Sequence, residues 1–420
     1  MSIGRAASIC LLCRGAKMMC GRAYCPALAI SRASTKLSKL VGDRLEASTP
    51  PSVFVGWRGY PRVRVGPAAP PLMGDTELFE APEKWLERSF EEVLEMRLSL
   101  VRGVDYADAR KGGRVVERLR ELAISSIPVE IEMRFLKPPR TRPLFDPHAP
   151  PMGPSGLLEG VRILGNPRVE RPVEKVYYDT DMGAWEAVVE LYRARIPIST
   201  IQRLFSVGAL GVARRRRLVP TRWSITAVDD TVSRSLLEEI RRFPWLSEVQ
   251  VFTRRYVKNL FVAILVPGAW SFEWMEAWFP GTVWNRSKRV EVEGDWEKYR
   301  GRSTYASIGG CYYAARLAVC EYLVRVRRQA IAVLLREIYE GFDVPIGVWF
   351  VRENLRRMFS SRPLRFDSVS MALSYLSTMT RLPLKTWISR SKLIRELLTQ
   401  ERIEDFTRGA VHGKVRKDHC

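Results

Sequence analysis

The chain has 420 residues, 46% of them apolar and 12 of them tryptophan, which suits two or three domains with a sizeable core and excludes a disordered chain. Its 68 basic residues outnumber 46 acidic ones, for a formal charge of +22. That excess calls for a polyanionic partner, nucleic acid before an anionic membrane surface, with charge-rich thermophilic adaptation as the bland alternative. A membrane span is not expected, because the longest charge-free apolar run, 259–272, contains Pro267 and falls short of the roughly 18 residues required.

Residues 1–70 hold eleven Lys/Arg against only Asp43 and Glu46. The apolar stretch after Arg5 is broken by Arg14 and Lys17, so it is not read as a signal peptide, and a cytoplasmic, nucleoid-associated protein is expected. Within that stretch, Cys10 and Cys13 form a CxxC knuckle, and Cys20 and Cys25 a second pair with four residues between. Such gaps let tight turns aim thiolates at one ion, and clustered cysteines in a reducing compartment read as metal ligands. Structural zinc is expected, with an iron–sulfur cluster or a redox role as alternatives.

The Pro/Gly-rich stretch 50–71, with alternating Val and Arg, reads as an extended basic arm. Helices are expected at 83–101 and 114–124 and a strand at 129–136, followed by a proline-rich loop at 138–156 shaped by Gly153 and Gly156 and carrying His148. A strand at 173–178, helices at 184–195 and 200–205, and strands at 223–228, 248–253 and 260–266 complete this part. Beyond Gly294 the expectation is a long apolar helix over 311–340 with Cys311 and Cys320 as core residues, a strand at 348–351, and helices at 354–359, 368–379 and 385–398. The fold class is α+β, irregular mixed α/β and multi-domain. A small four-cysteine zinc module is expected at 1–30, an α+β domain at 31–290 whose basic arm covers 31–71, a mainly helical domain at 291–398, and a tail at 399–420.

Several segments carry chemistry. Residues 192–205 have the pattern of a helix-turn-helix broken at Pro197, with Ser199 or Thr200 as cap and Gln202 and Arg203 facing outward, but an ordinary pair of core helices is the preferred reading. Arg214, Arg215, Arg216, Arg217 and Arg222 lie in a span without acid, behind Gly208 and Gly211, and suit phosphate contact. Trp223, and Tyr256 beside Arg254 and Arg255, can add base stacking. Two acidic pairs, Asp179 with Asp181 and Asp229 with Asp230, are weak catalytic candidates together with His148. They suit Mg²⁺ or Mn²⁺ in a nuclease, but helix capping is the preferred reading. In the tail, Gln400, Ile403 and Phe406 have the spacing of a peptide that docks on a DNA polymerase sliding clamp (PCNA), with Thr407 in place of a second aromatic.

Together these segments resemble the archaeal Nre family of DNA-repair proteins. The resemblance runs through Cys10-Leu-Leu-Cys-Arg-Gly, Cys20-Gly, Cys25-Pro, Pro151-Met-Gly-Pro-Ser-Gly156, Gly165-Asn-Pro-Arg168, Asp179-Thr-Asp181 and Ser199-Thr-Ile-Gln-Arg-Leu204. It continues from Arg217 to Asp230 and from Gly309 to Arg316. It implies a role in DNA-damage repair, a four-cysteine zinc finger, a clamp-interacting peptide, and family domains that meet near residue 290. A DNA-binding repair factor is therefore the leading expectation, with a metal-dependent nuclease and an RNA- or ribosome-binding factor as alternatives.

Overall fold

The computed structural model describes residues 41–141, 152–282, 285, 287–342 and 347–399. Within them, two six-stranded mixed sheets are flanked by helices, a mixed α/β architecture. The four N-terminal cysteines, His148, and the tail residues Gln400, Ile403 and Phe406 lie outside the described residues. No helix among the described residues is long and apolar enough to cross a membrane.

The first sheet begins in the segment expected to be an arm. Strands β1 (Arg44–Thr49), β2 (Ser52–Val55), β3 (Arg62–Ala69), β4 (Val101–Asp108), β5 (Val129–Phe135) and β6 (Ser155–Ile163) assemble in the order β1-β5-β6-β4-β3-β2. The alternation of Val and Arg is the period of a half-buried strand: Val63 and Val65 are fully buried, while Arg62 and Arg64 are exposed. The loop expected around Gly153 is shaped by close backbone approach, since a Cβ there would lie 2.2 Å from the carbonyl oxygen of Leu100. The long helix expected from residue 83 is shorter. Helix α1 (Phe90–Ser99) starts at Ser89, whose hydroxyl accepts from the Glu92 amide while Glu92 accepts from the Ser89 amide. Helix α2 (Arg114–Ala123) matches its expected span to within a residue.

Three strand expectations are corrected to helix. Residues 173–178 belong to α3 (Arg171–Tyr178), because Pro172 opens a first turn and the buried residues Val173 and Val176 are spaced by three. After α4 (Ala184–Arg193) and α5 (Ile198–Ser206), residues 223–228 form the start of α6 (Thr221–Ile240). Its β-branched residues favour a strand locally, but Ser224, Val228 and Val232 recur every four residues on one buried stripe, and packing overrides propensity. The third correction, residues 348–351, opens helix α8, described below.

The second sheet contains β7 (Val249–Tyr256), β8 (Asn259–Pro267), β9 (Ser271–Trp278), β10 (Glu291–Glu297), β11 (Ala330–Ile338) and β12 (Leu364–Phe366), ordered β10-β9-β11-β8-β7-β12. Both faces are covered. Phe261, Ala263 and Leu265 of β8 point into one core with α7 (Gly310–Val326) and α8 (Trp349–Phe359). Leu260, Val262, Ile264 and Val266 point into the other core with α9 (Val369–Met379), α10 (Leu384–Arg390) and α11 (Lys392–Thr399). A strand buried on both sides reads as a continuous apolar run. This is why the helix expected over 311–340 is in fact α7 followed by β11. Arg327, in the left-handed conformation at φ 54°, ends the helix, and the apolar run after it becomes a central strand. Cys320 is buried and Cys311 half-buried on α7, as core residues. The helix expected at 385–398 is divided at Ser391, where buried Glu273 of β9 accepts from the amides of Lys392 (2.7 Å) and Leu393 (3.0 Å) and so caps α11. Residues after 290, expected to be mainly helical, contribute β10, β11 and β12, and β9 pairs with both β10 and β11.

Candidate nucleic-acid interface

Helices α4 and α5 turn at Pro197, which precedes the first residue of α5 and occupies the cap position instead of Ser199 or Thr200. The two residues expected to face a groove point inward. Gln202 donates to Asp229 at 2.9 Å, and Arg203 donates to the carbonyls of Ala123 (2.9 Å) and Ser125 (3.0 Å). Those carbonyls lie at the end of α2, where the helix leaves its own acceptors unpaired and carries partial negative charge. Burial pulls the Arg203 guanidinium down to about 10, so it stays cationic at neutral pH.

Arg216 plays the same part for α3. Its guanidinium donates to the carbonyls of Tyr177 (2.8 Å) and Asp179 (2.7 Å) at the end of that helix and to the Gly211 carbonyl (2.7 Å) in the loop after α5, and burial lowers its pKa. Gly208 and Gly211 sit at φ 65° and 98°, and a Cβ on Gly208 would lie 2.4 Å from the carbonyl oxygen of Arg217, so the loop folds back on itself only with glycine there. With Arg216 fastened inside, Arg214, Arg215 and Arg217 project to the exposed surface.

The acidic pairs do not act as pairs. Asp179 follows α3 and accepts from the amides of Asp181 (3.0 Å) and Met182 (2.8 Å); those bonds hold its carboxyl below the usual range. The pair lies just ahead of α4, whose cap is Gly183, so its part in helix initiation is to form the preceding turn. Asp229 and Asp230 lie in mid-helix, and capping is overturned for them. Asp229, fully buried, receives Arg352 of α8 at 3.1 Å on each oxygen, while Asp230 on the neighbouring face pairs with Arg316 of α7. Among the described residues no three His, Cys, Asp or Glu side chains gather as a metal ion would require.

Arg222 and Trp223 open α6 on the exposed surface, beside the turn joining β2 and β3. The two are tied by the Val55 amide, which donates to Thr221 Oγ1 at 2.9 Å. From this junction rises a row of aromatic rings with arginines on their faces. Arg222 and Arg58 lie 5.4 and 5.5 Å from the Trp57 ring centre, and Tyr60 packs on Trp223 at 5.7 Å. On β3, Arg62 and Arg64 flank Tyr106 of β4 at 5.6 and 6.0 Å. Trp57, Tyr60, Tyr106 and Trp223 are each about 40% exposed or more, unusual for rings of this size. Gly59, at φ 81°, makes the turn that carries Trp57, Arg58 and Tyr60. Sequence reasoning singled out Arg222 and Trp223 but missed Trp57 and Tyr60; the signal was aromatic residues flanking arginines in a segment rich in proline and glycine. Arg254 and Arg255 are held elsewhere, by Asn354 (2.9 Å) and the Met379 carbonyl (2.7 Å).

The family model "Archaeal Nre, N-terminal" matches residues 19–285, and "Archaeal Nre, C-terminal" matches residues 297–406. The chain is 48% identical to the DNA repair protein NreB of Archaeoglobus fulgidus over 92% of its own length and 97% of that protein. It is 36% identical to DNA repair protein NreA of the same organism over 90% and 95%, and 36% identical to DNA repair protein NreA of Haloferax volcanii over 76% and 79%. The chain belongs to the archaeal Nre family, and these three relatives are named as DNA repair proteins.

Proposed function

We propose that this protein works in DNA repair by binding DNA through the arginine-flanked aromatic row and the neighbouring Arg214, Arg215, Arg217 and Arg222. The row itself carries the reading: guanidinium groups meet phosphates, while exposed rings offer stacking to unpaired bases. The dispersal of Asp179, Asp181, Asp229 and Asp230 favours binding over metal-dependent cleavage. Zinc on Cys10, Cys13, Cys20 and Cys25 is supported by thiolate number and spacing, and serves as a structural staple because protein fills all four positions.

Salt dependence tests the DNA reading. Replacing Arg214, Arg215, Arg217 and Arg222 together by Ala is expected to lower the slope of log K against log [salt] by roughly 0.7–0.9 for each phosphate contact removed. Fluorescence anisotropy with a labelled duplex and a labelled single strand gives that slope. A parental slope and affinity in the variant would overturn the assignment, and stronger competition by tRNA than by DNA at one salt concentration would replace DNA with RNA.

Recruitment is assigned to the tail. Gln400, Ile403 and Phe406 supply the polar and apolar contacts of a clamp-docking peptide, and PCNA is the proposed partner. Changing all three to Ala is expected to abolish pull-down by purified clamp while leaving DNA affinity unchanged. Pull-down at the parental level would remove the tail from the proposal.

A further inference from the structure

A cleft of about 520 Å³ opens further along α6 from the aromatic row, where three helices and one turn converge. Helix α6 contributes a single stripe, Asp230, Arg234, Glu238 and Arg241, at helical spacing; α7 contributes Tyr313 and Arg316 three residues apart; α4 contributes Trp185. The remaining wall is the chain between β10 and α7. There the amide of Gly301 donates to Lys298 at 2.7 Å, closing a turn that presents Arg300, and Tyr305 stands 63% exposed at the mouth.

The floor is rigid. Arg316, 2% exposed, donates to Glu297 at 2.8 Å and to the Ser233 hydroxyl at 3.1 Å, and also binds Asp230. Glu297 is held in turn by the Trp270 indole and the Tyr312 hydroxyl, each at 3.1 Å. Such a satisfied network fixes the shape of the site before any ligand arrives. The walls are different in kind. Five arginines line the cleft against three carboxylates, so its potential is positive. Each of its two exposed rings has a neighbour packed on it: Arg234 lies 5.4 Å from the Trp185 ring centre, and Tyr305 packs on Tyr313 at 5.3 Å.

Positive walls, exposed rings at the mouth and a carboxylate at the floor form a combination that matches one class of ligand. We propose that the cleft binds a nucleotide unit, a base with its phosphate. The base stacks on Tyr305 and Trp185, its exocyclic amino group donates to Asp230, and its phosphate meets Arg300 and Arg234. The volume falls in the range of roughly 300–1,000 Å³ typical of small-molecule sites. An acceptor at the floor favours adenine, cytosine or guanine over thymine, which has no exocyclic amino group. The ligand can be a free nucleotide or a nucleotide swung out of a DNA strand, since both present the same chemistry.

Calorimetric titration of the full chain with dAMP tests the site, with deoxyadenosine and ribose 5-phosphate as controls that lack the phosphate or the base. Binding of dAMP at least ten-fold tighter than either control is expected. Tyr305→Ala and Arg300→Ala, both at exposed positions, are each expected to weaken it at least ten-fold without moving the unfolding midpoint. A second arm compares a duplex containing one unpaired adenosine with the fully paired duplex. A preference for the unpaired nucleotide that Tyr305→Ala removes identifies DNA as the source; dAMP binding without that preference identifies a free nucleotide. Either result supports the site. Absence of both dAMP binding and the preference, or retention of either at parental strength in both variants, overturns it. The loss caused by Tyr305→Ala is expected to persist in the Trp57→Ala, Trp223→Ala background, so failure of the aromatic row and failure of the cleft give different patterns.

Discussion

Arg352→Ala is expected to lower the free energy of unfolding by about 3–5 kcal/mol, the range for removing one partner of a buried ion pair. Arg352 is 1% exposed and binds both oxygens of Asp229, which is itself fully buried and also accepts from Gln202. It also donates to Glu353 at 3.0 Å. From Glu353 the network passes through Arg356 to Glu321 of α7, which accepts from the Tyr192 hydroxyl of α4 at 3.2 Å. Truncation leaves the Asp229 carboxylate stranded at the meeting of α5, α6 and α8. Denaturant unfolding measures the loss, read as a lower midpoint at unchanged slope. Arg234→Ala, on the same helix as Asp229 but exposed and 3.8 Å from Asp230, is the control and is expected to change stability by less than about 1 kcal/mol. A loss for Arg352→Ala no greater than the control would show that water reaches Asp229 and that the network is not what joins these helices.

The double variant Trp57→Ala, Trp223→Ala is expected to weaken single-stranded DNA binding by about 2–6 kcal/mol, from about 1–3 kcal/mol for each base stacked on an aromatic ring. Both rings are more than two-fifths exposed, so their removal costs the fold little. The salt slope should stay at the parental value, because no phosphate contact is deleted, and duplex affinity should fall less because paired bases are already stacked. This separates stacking from charge: the arginine variant lowers the slope, and the tryptophan variant lowers affinity at constant slope. Single-strand affinity unchanged in the double tryptophan variant would reduce the row to a surface whose rings merely carry the arginines.

Legibility along the chain followed how far each segment's environment is set by its neighbours in sequence. The strand at β8 and the helices α2 and α9 were readable, because an apolar run bounded by turn residues, or apolar positions at helical spacing, already states what they need to bury. β11 was not, because its apolar run follows the equally apolar α7 and periodicity cannot tell a buried strand from a buried helix. The opening of α6 was misread because Ile225, Thr226 and Val228 favour a strand locally, whereas α7 offers them a helical partner.

Among the functional residues the division is sharper. The number and clustering of Arg214, Arg215, Arg216, Arg217 and Arg222, and the net charge of +22, are the sequence's own grounds for proposing a polyanionic partner. Which guanidinium reaches outward was decided only by tertiary structure. Arg203 and Arg216 are drawn to the carbonyl ends of α2 and α3, while the arginines beside them are left at the surface. Composition cannot separate these outcomes, since a helix C-terminus and a phosphate offer a guanidinium the same thing, oxygen acceptors bearing negative charge. By itself the sequence determined the family and the mixed class of the fold. The face and the cleft depended on contacts between Trp57 and Arg222, 165 residues apart, and between Asp230 and Arg316, 86 apart, which no local pattern encodes.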